Sequence, residues 1–157
     1  SKTLTFVVSA YNMETYLERC VESLLSATDN SDIEVLIVDD GSSDGTPELA
    51  DMYERRWPGN VRAIHQVNKG HGGAVNTGIA NATGMYVKVV DADDWVDMPS
   101  IDTLMGTLRV QRVATDPVDM IVTNYVYDKV GKRVKHTVNF RHAMATNTVL
   151  GWDDLGC

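Results

Sequence analysis

Two aliphatic runs, each ending in carboxylates, constrain this chain more than any other feature. Ile33-Glu34-Val35-Leu36-Ile37-Val38 leads straight into Asp39-Asp40, and Met85-Tyr86-Val87-Lys88-Val89-Val90 into Asp91-Ala92-Asp93-Asp94. Short, near-continuous aliphatic runs of this kind are the strands of parallel sheets, buried on both faces. Two strands that both end in acid imply one polar crevice at the carboxyl edge of a sheet, where open α/β sheets bind ligands. Three carboxylates within four residues repel one another. A divalent cation, or a ligand carrying one, relieves that repulsion.

The rest of the chain supplies the partners such a sheet needs. Leu4 to Ala10 reads as a first buried strand. From Met13 to Ala27, Met13, Tyr16, Leu17, Cys20, Val21, Leu24 and Leu25 recur at helical spacing on one face. Asp44 or Thr46 caps a second helix with Pro47 in its first turn, which runs to about Trp57 and stops at Pro58-Gly59. Val61 to His65 is a short strand. A glycine-rich loop, Lys69 to Gly73, then leads into a helix through about Asn81. Pro99 to Val113 reads as a further helix with Leu104, Leu108 and Val113 inward. Val118 to Tyr127 reads as another strand, and Val130-Gly131-Lys132-Arg133 as a turn into a polar strand ending near Phe140. The alternation predicts a doubly wound, mostly parallel α/β sheet with right-handed crossovers. No internal domain boundary is visible, so residues 1–157 read as a single domain.

Composition excludes some functions. With 14 basic against 22 acidic side chains the net charge is −8, which argues against nucleic acid, whose phosphates need a basic face. Cys20 in a helical pattern and Cys157 at the last position do not make a disulfide framework, so a reducing, cytoplasmic setting is expected. No apolar run is long enough to span a bilayer.

Three segments carry chemistry. Asp39 and Asp40 can accept hydrogen bonds from a base or ribose, although Asp-Gly and Ser-Ser-Asp-Gly are also plain turn formers. Asn68-Lys69-Gly70-His71-Gly72-Gly73 opens a helix, where glycines permit close approach and the helix start favours an anion. It is not a dinucleotide fingerprint, since Val75 stands where glycine or alanine is required, nor a Walker loop. His71 could touch a phosphate, but a lone loop histidine reads first as polar surface. In an extended stretch Asp91 and Asp93 share a side and Asp94 points away. Trp95 reads as packing, and Arg109 and Arg112 as solvated.

Taken together, these elements resemble the nucleotide-sugar-binding part of glycosyltransferase family 2, which has the GT-A fold. Val8-Ser9-Ala10-Tyr11-Asn12 is similar to that family's first-strand element, and Leu36 to Thr46 to its second-strand motif. Asn68-x-Gly70 and Asn76-x-Gly78 resemble its glycine loop and following helix, and Asp91-Ala92-Asp93-Asp94 its metal motif. The resemblance is clear from Thr5 to about Trp95 and looser beyond.

It implies that Ala10, Tyr11 and Asn12 line a nucleotide pocket. Asp39 and Asp40 would meet uracil or ribose, with Asp40 the more direct contact. Lys69 and Gly70 would lie along the donor, Asp91 would bind the ribose side, and Asp93 would hold Mn2+ or Mg2+ against the diphosphate. Asp94 would support the metal from behind. The implied reaction is inverting transfer of a sugar from a nucleotide-diphosphate donor, expected to be UDP-linked, to a saccharide or lipid-linked acceptor in bacterial cell-surface polysaccharide synthesis. Two departures matter. The usual base lies well beyond the metal motif, so it is expected beyond Cys157, with Asp153 and Asp154 too early; the chain then reads as a fragment of a longer transferase. Val75-Asn76 also stands where many members have Arg-Asn. Among rivals, a receiver would place its acidic pair after the first strand, and a dehalogenase-like phosphatase would have Thr or Val where Trp95 stands. A sugar nucleotidyltransferase would want a glycine-arginine-rich first loop, which Ser9 to Glu14 lacks. A domain that binds a nucleotide sugar without turning it over is the remaining alternative.

Overall fold

The computed structural model describes residues 1–128 and 135–155. They form two compact units, residues 1–114 and 115–157. The expected turn at Val130 to Arg133, like Cys157, lies outside the described residues.

The first unit is built on four parallel strands, β1 (Leu4–Ala10), β2 (Ile33–Asp39), β3 (Val61–His65) and β4 (Tyr86–Asp91), in the order β3-β2-β1-β4. β1 and β2 are buried along their whole length, as their unbroken aliphatic runs require. α1 (Glu14–Leu24), α2 (Thr46–Arg56) and α3 (Gly70–Asn81) make the crossovers, and α4 (Met98–Arg112) follows β4. The chain steps outward from β1 to β3 and then returns to the other side of β1 with β4. That reversal leaves a crevice at the carboxyl ends of β1 and β4.

Local chemistry explains the element boundaries. α1 buries Leu17, Cys20, Val21 and Leu24, while Tyr16, expected on the same face, is exposed. Asp44 serves two helices: its Oδ1 accepts from Thr46 N at 3.0 Å and its Oδ2 from Glu14 N at 3.2 Å. Asp97 caps α4 by accepting from Ser100 N at 3.1 Å. α4 turns Ile101, Met105 and Leu108 inward; Val113, expected inside, is exposed because the helix has already ended. α3 starts at Gly70, so His71 to Gly73 form its first turn rather than a loop. Gly78 lets α3 lie against β1, because a Cβ there would fall 2.9 Å from Val7 Cγ2 and closer still to Cγ1. Arg109 and Arg112, expected in solvent, are engaged: Arg109 forks onto Asp32 and Arg112 reaches Thr3.

In the second unit, β5 (Tyr125–Tyr127) pairs antiparallel with β6 (His136–Val138). The longer strand expected from Val118 is, among the described residues, the short β5. Short 3-10 turns follow at Phe140–His142 and Trp152–Leu155.

Candidate functional site

A cleft of about 480 Å3 opens at the carboxyl ends of β1, β2 and β4, against the start of α3. It is lined by Ser9, Ala10 and Tyr11 after β1, Asp40 after β2, Asn68, Gly70 and His71 at the head of α3, and Asp91 and Asp93 after β4. Four segments far apart in sequence meet there because parallel strands present all their carboxyl ends at one edge.

The turns after β1 and β2 are laced into one rim. Asn12 N donates to Ser42 Oγ at 2.9 Å, Ser43 N to Asn12 Oδ1 at 2.9 Å, and Met13 N to Thr46 Oγ1 at 2.8 Å. Asn12 adopts a left-handed conformation with φ 54°, which asparagine tolerates better than most residues. Its side chain is therefore spent on the rim and does not line the cleft, whereas Ala10 and Tyr11 do.

The adjacent carboxylates of Asp39 and Asp40 do different work. Asp39 completes β2 and is buried, its Oδ1 accepting from Ser42 N and its Oδ2 lying 3.0 Å from His65 Nδ1. His65 Nε2 is 3.0 Å from Asp51, and Asp39 and then Asp51 raise the imidazole above its ordinary value. Asp39 is outside the cleft lining. Asp40 is in it. Its Oδ1 accepts from Gln66 Nε2 at 2.7 Å and Lys69 N at 2.8 Å. Burial alone would raise the Asp40 carboxyl, but these donors outweigh it and hold it below the usual range. Lys69 thus enters the site through its backbone, while Gly70 lines the cleft with φ 76°.

The acidic segment after β4 is a turn rather than the extended stretch read from sequence. Asp94 N donates to Asp91 O at 2.9 Å, closing it at once. Ala92 is buried, and Asp91 and Asp93 still both line the cleft, while Asp94 does not. Burial, then the charges of Asp93 and Asp91, pushes Asp94 up. α1 holds this turn from behind at three points. Ser23 Oγ accepts from Val96 N at 3.1 Å, Cys20 Sγ lies 3.8 Å from Asp91 O, and the Arg19 guanidinium sits 3.3 Å above the Trp95 ring. Trp95 therefore carries a cation besides packing. The Cys20 thiol is pushed up to about 12 by burial and then by Asp94, Asp93 and Asp91, which makes it an inert packing group.

Ser9, quoted only as part of the first-strand element, and His71, read first as polar surface, both line the cleft. Ser9 Oγ is 3.2 Å from His71 Nδ1 and donates to Asp91 Oδ1 at 3.4 Å, and His71 Nδ1 is 3.6 Å from Asp91 Oδ1. The available signal was weak: a histidine at the head of a helix that follows a strand. Among the described residues, no three or more His, Cys, Asp or Glu side chains converge into a cage for an ion. The cleft instead offers the open carboxylates of Asp91 and Asp93. That fits a magnesium- or manganese-type ion, which takes one or two carboxylates and completes its shell with water and phosphate oxygens. Asp153 and Asp154 lie in the second unit, where Asp154 Oδ2 accepts from Gly151 N at 2.8 Å.

Comparison with known proteins matches residues 5–152 to glycosyl transferase family 2. The chain is 37% identical over 106 residues to the chondroitin synthase of Escherichia coli, covering 68% of this chain and 15% of that protein. It spans less than half the length of the curated relatives it matches. S. aureus TarS 1-349, solved in complex with UDP-GlcNAc, superposes with a TM-score of 0.63 at 25% identity, over 70% of this chain and 32% of that one. The mannosyltransferase PcManGT from Pyrobaculum calidifontis, solved with GDP-Man and Mn2+, gives a TM-score of 0.59 at 28% identity, over 68% and 31%.

Proposed function

The chain belongs to glycosyl transferase family 2, and from that premise we propose that it is the donor-binding part of a longer, inverting glycosyltransferase. Its fold is of the GT-A type, with a parallel sheet flanked by helices. The observation that carries the reading is the meeting of Asp40, the glycine-rich head of α3 and the pair Asp91 and Asp93 around one cleft. Its volume of about 480 Å3 lies in the range of small-molecule sites.

In this reading Ala10 and Tyr11 form the wall against the base, and Asp40 accepts from the base or ribose. Asp40 Oδ1 accepts from Gln66 and Lys69, and this reading assigns Oδ2 to the ligand. Gly70 lets the diphosphate approach the backbone, Asp91 faces the ribose side, and Asp93 holds Mn2+ or Mg2+. When bound, that ion would offset charge on the departing diphosphate as a Lewis acid. The Mn2+ complex of PcManGT supports a metal, and the UDP-GlcNAc complex of TarS supports a UDP-linked donor. The chondroitin synthase relative supports a saccharide acceptor in polysaccharide synthesis. The base that takes the acceptor's proton is assigned to the part of the transferase outside this chain. The free, buried Cys20 suits a reducing, cytoplasmic setting. No helix among the described residues is long and apolar enough to cross a membrane.

Calorimetric titration with UDP, with and without Mn2+, tests this on the chain and on Asp93→Ala. The expected result is Mn2+-dependent binding that the substitution removes. Manganese-independent binding would exclude the assigned role of Asp93. Absence of binding to UDP and to GDP would overturn the donor reading.

A further inference from the structure

The rim of the cleft rests on Asp39, and Asp39 is held by a residue outside the cleft lining, His65. A carboxylate only 4% exposed needs a donor at each oxygen. Its Oδ1 accepts from Ser42 N at 3.0 Å, and its Oδ2 lies 3.0 Å from His65 Nδ1. An ionised carboxylate only accepts, so it fixes hydrogen on Nδ1 whether the ring is neutral or charged. The hold on Asp39 therefore does not depend on titration of the imidazole. The far nitrogen, Nε2, faces Asp51 of α2 at 3.0 Å, and since Asp51 is 47% exposed, water can replace that second contact.

From Asp39 the linkage runs outward to the ligand wall. Ser42, fixed through its backbone N–H, accepts from Asn12 N on its Oγ at 2.9 Å. Asn12 has φ 54°, a backbone conformation that persists only where its surroundings hold it. Tyr11, the next residue back, lines the cleft and is 49% exposed, so the turn's backbone, more than packing, sets its position.

We propose that His65 is a positioning residue for the donor cleft, its Nδ1–H holding Asp39 so that Asp39, Ser42 and Asn12 fix the turn that presents Tyr11 to the base. His65 touches no part of the ligand and acts through that linkage. The proposal rests on the donor reading above and deepens it, tying recognition of the base to a side chain at the end of β3.

The test uses two replacements that keep opposite edges of the ring. Asparagine places an amide N–H where Nδ1 stood, and glutamine places one where Nε2 stood. By NMR titration in the presence of Mg2+, His65→Asn should bind UDP and uridine within about twofold of the parent chain. His65→Gln should weaken both about tenfold, because losing a hydrogen bond to a charged group lowers the share of molecules with an ordered rim by that factor. Ser42→Ala removes the acceptor of Asn12 N without touching the strand ends, and it should reproduce the glutamine result. In amide spectra of the free proteins, the Tyr11 and Asn12 signals should move in His65→Gln and stay in place in His65→Asn. Parent-like UDP affinity in His65→Gln or in Ser42→Ala overturns the proposal. So does an equal loss in the asparagine and glutamine variants, which would mean that the ring only packs. If the unsubstituted chain binds neither UDP nor GDP, the donor reading is rejected. The amide signals then decide the positioning role alone, and Tyr11 and Asn12 signals unmoved in His65→Gln reject it as well.

Discussion

Asp40 joins the end of β2 to the head of α3, and its replacement separates the two jobs assigned to it. Its Oδ1 accepts from Gln66 Nε2 at 2.7 Å and from Lys69 N at 2.8 Å, and the residue is 3% exposed. Hydrogen bonds to a charged group contribute about 1.5–3 kcal/mol each and neutral ones about 0.5–1.5. In Asp40→Asn the amide oxygen keeps both donors, so the fold should lose about 2 kcal/mol. The amide nitrogen then replaces the acceptor at Oδ2, and UDP affinity should fall about tenfold. In Asp40→Ala both donors lose their acceptor, at about 1–3 kcal/mol each. Lys69 and Gly70 are exposed residues that water can reach, so about 2–4 kcal/mol in total is expected. Urea unfolding at pH 7 measures the stability of each variant, and calorimetry measures UDP. An Asp40→Ala protein within 0.5 kcal/mol of the parent would refute the view that Asp40 anchors the head of α3. An Asp40→Asn protein that binds UDP as the parent does would refute direct contact through Oδ2.

Two further predictions concern the framework. Gly78→Ala would ordinarily stabilise a helix by about 1 kcal/mol, but here the new methyl meets the fully buried Val7 side chain. Overpacking of this kind costs about 1–3 kcal/mol, so the urea midpoint should fall, and a rise would contradict the close packing of α3 on β1. Asp32 is held down to about 2 by the Arg109 guanidinium, with Thr3 assisting against burial. A depressed carboxylate contributes stability above its ordinary value near 4 and loses it as pH falls toward 2. After screening, about 1 kcal/mol is expected. Asp32→Asn should therefore destabilise at pH 6 and be nearly neutral at pH 2.5, as unfolding curves at the two pH values would show.

The backbone plan was legible because it is written in local patterns. The aliphatic runs of β1 and β2 need burial on both faces, and Asp44 and Pro47 mark a helix start by side-chain and ring chemistry that acts within a few residues. Carboxylates at two strand ends located the cleft, since parallel strands bring their carboxyl ends to one edge. Tertiary structure decided what each polar group does there. Asp39 and Asp40 are adjacent in sequence, yet one is buried against Ser42 and His65 and the other lines the cleft, because successive strand-end residues point to opposite sides. Asp91 to Asp94 turns where alternation predicted extension, since one backbone hydrogen bond outweighs a pattern four residues long. His71 looks like surface in the sequence and joins the site only because β1, β4 and α3 converge on it. The packing of α3 on β1 and the pairing of β1 with β4, which bring Ser9 to His71 and to Asp91 across 62 and 82 residues, have no local signature.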